Sequence, residues 1–425
     1  MNRVKKAYNV LWISGYPGWG KTAIASSLLN STEFGDVIHA HYFISEDVND
    51  DPRLVWRTIT YQLALSSPAY RRILLESGAL TTDTKDLDIK NLFKALIKAP
   101  LSRLDVPIVV VIDALDEYDY DMHEDFWETV AVWKSLPSSC KLIVASQNDG
   151  DDIARELDGT YNIDLESSDE SKETMDDIRF LFVDAFEKVE REGWLEDGEI
   201  DELIKYAHGS FLWATTVITF VVNGRGGDPR SRFDGILRAF RDNDNDVTLL
   251  CAHILMHTHS HLEPDDEREN MLLVLAFLTL RKAPLSRREL GELLMCDISI
   301  ILDNLSPILI IGAPDDVVEF THLFYKLVIR DLEDSRFPDY VQSFVQHLTP
   351  QKQSLRLTHA CLRFMKKSLA AQPDEHRKST GPHCSVNTSR AEEGNPANIS
   401  NALKYACSYW VDHMDDIWRK PSDYY

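Results

Sequence analysis

The chain has 425 residues, 44% of them hydrophobic, enough for two to four domains with buried cores. Its 45 Lys and Arg against 69 Asp and Glu leave a net charge of −24, which argues against a nucleic-acid groove or an anionic membrane as the main partner, because both require basic surface. Six cysteines stand far apart with no C-x-x-C pair, a pattern that predicts a reducing, cytoplasmic setting without disulfide framework or zinc site.

The apolar run behind the basic start of the chain, Met1 to Lys6, is too short for a signal peptide. That run, Val10-Leu11-Trp12-Ile13, reads as a buried strand. It leads into Gly15-Tyr16-Pro17-Gly18-Trp19-Gly20-Lys21-Thr22, which fits the phosphate-binding pattern G-x-x-x-x-G-K-[ST]. Ala23 to Leu29 then reads as a helix. Strand, loop and helix must come in this order. Gly15, Gly18 and Gly20 let backbone N–H groups curl around phosphate oxygens, and the helix N-terminus adds its partial positive charge. Lys21 is placed to reach the β- and γ-phosphates of a nucleotide, and Thr22 to give a hydroxyl to Mg²⁺.

Further strand-like runs follow at Val37–Phe43, Ile108–Ile112 and Lys141–Ala145, with helical patterns at Pro52–Leu65 and Leu87–Ala99. Such alternation predicts a parallel sheet covered on both faces, a three-layer α/β fold. The run Ile108–Ile112 ends in Asp113, at the strand edge where open α/β sheets bind ligands. Asp113 is suited to hold Mg²⁺, usually through water. Asp116 and Glu117 follow within a turn, and one of them could orient or deprotonate an attacking water. Lys21 and Asp113 are 92 residues apart. That spacing leaves room for another strand with its helices, as in the ATPase branch of P-loop folds.

From Ser168 the pattern turns helical. Ile178, Leu181, Phe182, Ala185, Phe186 and Val189 recur at helical spacing, as do Ile200, Leu203, Ile204 and Ala207. The longest apolar stretch, Phe211–Val222, is too short to span a bilayer. Asn223–Pro229 is a Gly-rich break. Gln372–Ser400 has a disordered or long-loop composition and contains the isolated pair His383-Cys384, read as surface loop. Leu403–Trp418 is helical again. No repeat period appears.

The string Val111-Ile112-Asp113-Ala114-Leu115-Asp116-Glu117, taken with Leu11–Thr22, closely resembles the NACHT NTPase domain of fungal NOD-like receptors, which are STAND-type signalling ATPases related to AAA+ proteins. Tyr61-Gln62-Leu63, Lys141–Ser146, His208–Ala214, Phe320–Leu323 and Ala402–Trp410 resemble further pieces of such proteins. The resemblance implies a NACHT domain over residues 1–165, a small helical domain over 166–225, a winged-helix region with its preceding helices over 226–340, and a C-terminal helical segment over 341–425. It also implies ATP and ADP as ligands, Mg²⁺ as cofactor, a signal-transduction switch, and protein partners or self-association in the activated state.

Three positions depart from the family. His322 stands where a winged-helix histidine touches the β-phosphate of ADP, but Phe324 and Tyr325 replace the usual Ser/Thr and Phe. Gln147 stands where an arginine normally senses the γ-phosphate, which predicts slow hydrolysis or none. No effector domain or repeat sensor flanks the site, so the chain is expected to be a truncated or degenerate receptor or a minimal switch. The alternative class is a non-catalytic interaction module with a structural nucleotide. A small-molecule kinase fits less well, because there is no basic lid and the helical half is large.

Overall fold

The computed structural model describes residues 8–30, 37–44, 51–78, 87–117, 124–148, 151–189, 194–196, 198–225, 227–241, 247–322, 325, 329, 339–370 and 399–418. Most of the segment read as disordered, with His383-Cys384, lies outside them. The chain forms two compact units. One runs to Arg179 and includes His208–Leu212; the other comprises Phe180–Ala207 and the chain from Trp213 onward.

The first unit follows the expected alternation. Its elements are β1 (Val10–Ser14), α1 (Lys21–Asn30), β2 (Ile38–Phe43), α2 (Arg53–Ser66), α3 (Pro68–Glu76) and α4 (Ile89–Phe93). The last of these continues through a π-helical turn (Lys94–Lys98) into α5 (Ala99–Leu101). Pro100 has no N–H to give, and the hydroxyl of Tyr70 donates instead to the Leu96 carbonyl one turn back. Then come β3 (Ile108–Asp113), a 3₁₀ turn (Leu115–Glu117), α6 (Glu124–Val132), β4 (Cys140–Ser146), α7 (Asp151–Glu156), β5 (Tyr161–Asp164) and the start of α8 (Ser168–Glu187).

The five strands are all parallel in the order β2-β3-β4-β1-β5. Strand β4 therefore lies between the strand that feeds the Gly-rich loop and the strand that ends in Asp113. The central strands read as apolar runs because both faces are covered. The sequence pattern did not single out β5. Its residues, Tyr-Asn-Ile-Asp, sit at the sheet edge, where exposed and half-buried positions tolerate polar side chains.

One face carries the main core, in which Trp56 meets Phe93 at 4.7 Å between ring centroids and Trp133 at 6.0 Å, while its indole N–H donates to Thr129 Oγ1 at 2.9 Å. The other face carries a much smaller core under α1, with Ala25 packed near Ile13, Val111 and Ala145.

The opposite edge strand, β2, is clipped by a side chain. Gln62 on α2 accepts the His41 N–H at 2.7 Å and donates to the His41 carbonyl at 3.1 Å. Its amide takes the place of a neighbouring strand at that residue, one way of blunting a sheet edge. Gln62→Ala is expected to lower stability by only about 1 kcal/mol but to raise concentration-dependent association, read by light scattering. Unchanged association would deny the clip a protective role.

The second unit is mostly helical: the end of α8, α9 (Glu199–Ala207), α10 (Phe211–Asn223), α11 (Pro229–Arg241), α12 (Val247–His261), α13 (Asp265–Leu280), α14 (Arg287–Leu294) and α15 (Ser299–Leu305). A small antiparallel pair, β6 (Leu309–Ile310) with β7 (Glu319–Phe320), precedes α16 (Asp339–Val345), α17 (Pro350–Ala370) and α18 (Asn401–Asp416). The predicted stripes are buried in part: Phe182, Phe186, Leu203, Ile204 and Ala207 are buried in this unit and Ile178 in the first, while Leu181, Ala185, Val189 and Ile200 are half-buried. The break at Asn223–Pro229 joins α10 to α11 and is fastened by buried Arg232, which donates to the carbonyls of Val221 at 2.7 Å and Gly227 at 2.6 Å. Among the described residues no helix is long and apolar enough to cross a membrane, no group of three or more His, Cys, Asp or Glu could hold a metal ion, and five cysteines are unpaired.

Candidate nucleotide site

The site is built at the C-terminal edge of three neighbouring strands. The Gly-rich loop follows β1, position 147 follows β4, and Asp113 ends β3. The loop turns where its glycines allow it. Gly18 and Gly20 have φ of 78° and 88°, in the left-handed region that side chains disfavour. At Gly18 a Cβ would also come within 2.5 Å of Leu212. The Lys21 ammonium donates to the carbonyls of Gly15 at 2.6 Å and Tyr16 at 3.0 Å, so it is held over its own loop. Helix α1 begins at Lys21, and its first-turn N–H groups have no partners within the helix.

Asp113 is 3% exposed. The nearby Thr22 hydroxyl and the Lys21 charge both favour its ionised form. Burial nevertheless dominates and raises its pKa above the ordinary carboxylate value, with the neighbouring Asp116 pushing the same way. The fit to Mg²⁺ is chemical: a hydroxyl and a buried carboxylate from distant parts of the chain meet beside a lysine, a hard-oxygen set with too few protein ligands to complete a shell alone. Such sets suit an ion that keeps several waters and shares phosphate oxygens.

The raised pKa has a consequence for stability. A folded-state carboxyl that binds its proton more tightly than the unfolded chain stabilises the fold below its unfolded pKa of 3.8. That contribution is lost as pH rises through the higher folded value, so at neutral pH the ionised Asp113 is a burden on the ligand-free protein. Asp113→Asn keeps the shape and an acceptor oxygen without the charge. We expect it to raise the ligand-free melting temperature at pH 7 by a few degrees, with the gap to wild type narrowing toward acid pH. It should also abolish any stabilisation that requires Mg²⁺ with nucleotide. A lower melting temperature at pH 7 would contradict this electrostatic account.

Asp116 Oδ1 accepts the Gln147 backbone N–H at 3.0 Å, tying the turn after β3 to the end of β4. Trp12 Nε1 donates to Ser146 Oγ at 2.8 Å, and that hydroxyl donates to the Gln147 carbonyl at 2.9 Å. Position 147 is thus fixed at the loop-bearing edge by its backbone. Ala114, between the two acids, has φ of 58°, a conformation non-glycine residues seldom adopt outside constrained sites. Glu117 closes the 3₁₀ turn, and its side chain lies outside those described. His322 follows β7 in the second unit, where its carbonyl accepts the Tyr325 N–H at 3.0 Å. Phe324 lies outside the described residues. The structure therefore brings Thr22 and Lys21 near Asp113 and joins Asp116 to position 147.

Sequence reading did not assign a site role to His208–Leu212, which folds onto the loop. The Leu212 N–H donates to the Gly18 carbonyl at 3.1 Å. Ser210 is 6% exposed, and a Cβ at Gly18 would lie 3.0 Å from its Oγ. A Cβ at Gly209 (φ 82°) would strike the Trp19 ring at 2.6 Å. The available signal was Gly209 directly after a helical stripe, where the chain needs a left-handed residue to leave the helix.

A family model described as Nephrocystin 3, N-terminal, matches residues 2–147, about a third of the chain. No curated protein matches it. Among solved structures it is similar to a Signal Transduction ATPase with Numerous Domains (STAND) protein with a tetratricopeptide repeat sensor from Pyrococcus horikoshii, at 14% identity and TM-score 0.41 over 87% of this chain. The chain spans 46% of that protein. It is also similar to Cdc6p from Pyrobaculum aerophilum, at 14% identity and TM-score 0.32 over 80% of this chain and 87% of that one. The Orc1 protein from Aeropyrum pernix, solved in complex with DNA, matches at 15% identity and TM-score 0.30 over 76% and 86% of the two chains. At these scores no property of the three transfers to this chain. Strand order, loop and acid strand together make the first unit a P-loop NTPase fold.

Proposed function

We propose that this chain is a nucleotide-operated switch of the NACHT or STAND kind, binding ATP and ADP with Mg²⁺ and hydrolysing slowly. One observation carries the reading: the buried Asp113 carboxylate at the end of β3 lies close enough to Thr22 and Lys21 for both to favour its ionised form, the two halves of a phosphate–metal site brought near one another from 92 residues apart in sequence. Lys21 and the loop N–H groups would hold the β- and γ-phosphates. Thr22 and Asp113 would hold Mg²⁺, which neutralises phosphate charge. Asp116 or Glu117 would position water, with Asp116 already engaged by the Gln147 N–H. His322 would contact ADP, as the family resemblance implies, and the helices α14 and α15 with the pair β6–β7 support a winged-helix reading of the region around it.

ADP and ATP must then favour different arrangements of the protein, because a ligand shifts a conformational equilibrium only by its differential affinity. The test is a melting series with Mg–ADP and Mg–ATP beside size-exclusion chromatography. Ligand at about 100 times Kd should add about 2.7 kcal/mol of stability, and ATP should shift the elution volume where ADP does not. No melting shift at millimolar nucleotide would end this reading. Equal shifts and unchanged elution with both would favour the second one, an interaction module for which nucleotide is a structural ligand. Glutamine at position 147 is the observation on its side.

A further inference from the structure

Helix α12 carries histidines at positions 253, 257, 259 and 261. Residues four apart on a helix are neighbours, so His257 and His261 share one face, about 40° apart around the axis. His259 lies on the other side, where its ring meets Phe344 at 5.1 Å. The rings of His257 and His261 are 4.1 Å apart between centroids and inclined by 31°. Phe220 on α10 meets the His257 ring edge-on at 5.0 Å.

Hydrogen bonding fixes the proton on one of the two rings. His261 Nδ1 lies 2.8 Å from the His257 carbonyl oxygen. A carbonyl only accepts, so Nδ1 bears the hydrogen and Nε2 keeps its lone pair. The Ser260 hydroxyl donates to the same carbonyl at 2.8 Å. An imidazole that donates its other N–H to a backbone carbonyl is in the state metal-ligating histidines usually adopt. Neither ring nitrogen of His257, nor Nε2 of His261, has a hydrogen-bond partner among the described residues.

The pair is accessible and ready to ligate. His257 is half-buried and His261 exposed. Burial holds the His257 pKa down to about 4, with His261, His253 and Arg232 adding to the effect. At neutral pH a metal ion therefore has no proton to displace there. The Arg232 charge opposes a bound cation, whereas the C-terminal end of the α12 dipole favours one. With Zn–N bonds of about 2.0–2.1 Å, two imidazoles on one ion have centroids roughly 4.5–5 Å apart. The rings need to open by only about 1 Å to reach that. No third His, Cys, Asp or Glu completes the set among the described residues. Two imidazoles with water in the other positions suit Zn²⁺, Ni²⁺ or Cu²⁺; Mg²⁺ and Ca²⁺ prefer oxygen ligands.

We infer that His257 and His261 form a two-imidazole site for a divalent transition-metal ion, distinct from the Mg²⁺ site proposed at the Gly-rich loop. The ion is held by one ring nitrogen of His257 and by His261 Nε2, and it clamps the last turn of α12.

Zn²⁺ titrated calorimetrically into the full chain, with excess Mg²⁺ present to occupy Thr22 and Asp113, tests this. A saturable site is expected. His257→Gln and His261→Gln should each weaken it at least about tenfold, the lower bound for losing even a supporting residue around a metal. The double variant should lose little more than either single one, because one imidazole alone no longer chelates. His259→Gln, in the same stretch but on the other side of the helix, should leave the affinity unchanged. The far-ultraviolet circular dichroism and melting temperature of each variant show that it is folded. No saturable Zn²⁺ binding overturns the inference. So does binding that His257→Gln and His261→Gln leave unchanged, or that His259→Gln weakens equally.

Discussion

Lys21→Ala is expected to lose nucleotide while keeping the fold. The side chain starts at the first residue of α1, is half-buried, and lays its ammonium across the carbonyls of Gly15 and Tyr16. It contributes little to either core, so truncation should leave the melting temperature of the ligand-free protein nearly unchanged. In the bound state the same ammonium would face phosphate oxygens in a partly dehydrated loop. Removing one partner of a desolvated charge pair costs about 2–5 kcal/mol, which is roughly 30-fold to several-thousand-fold in Kd. Equilibrium binding of a fluorescent ADP analogue measures this directly, and nucleotide carried through purification gives a second reading. Equal affinity in wild type and variant would remove the loop from the binding site.

The second large effect is expected from Gln147→Arg. Position 147 is held by its backbone, through Asp116 on one side and the Trp12–Ser146 pair on the other. A new side chain there should start from the same point on the edge between the loop strand and the acid strand. Glutamine can donate a hydrogen bond but brings no charge to a γ-phosphoryl group whose negative charge spreads in the transition state. Supplying a guanidinium should raise the single-turnover rate about 100-fold or more, the scale at which one well-placed stabilising group acts. Gln147→Ala should change the wild-type rate little. Asp116 tempers the outcome through a definite route: if the arginine folds back onto that carboxylate, the gain appears only in the pair Gln147→Arg with Asp116→Asn. Wild-type turnover at ordinary ATPase rates, unmoved by the arginine in either background, would show that slow hydrolysis was wrongly inferred.

The slow-hydrolysis prediction also decides how much the two readings of function differ. Where nucleotide turns over slowly, its identity is set by exchange and binding, and the protein is governed by which ligand it holds. Where there is no turnover and no difference between ADP and ATP, the loop is a structural fastening. The arginine variant and the elution experiment separate these cases without knowledge of the upstream signal.

The local parts of the candidate site were legible in the sequence alone. Gly18, Gly20, Lys21 and Thr22 carry their chemistry in their spacing. Asp113 announced itself as an acid ending a run of β-branched residues, which suits a strand buried on both faces. The helical stripes at Ile178–Val189 and Ile200–Ala207 were legible because a 3.6-residue period is a short-range property. The sequence did not show β5, whose four residues are held at the edge by pairing with β1 rather than by their own pattern. It gave no hint that Gln62 would clip the edge of β2, or that Ser210 and Leu212 would pack on Gly18.

Only the tertiary structure decided that β4 separates the loop strand from the acid strand, that burial outweighs Lys21 in setting the proton affinity of Asp113, and that α1 is the one helix among the described residues in the core of its face. These depend on distances between residues far apart in the chain and on how much water each group loses. Neither quantity is written in any local pattern; both exist only once the sheet has closed.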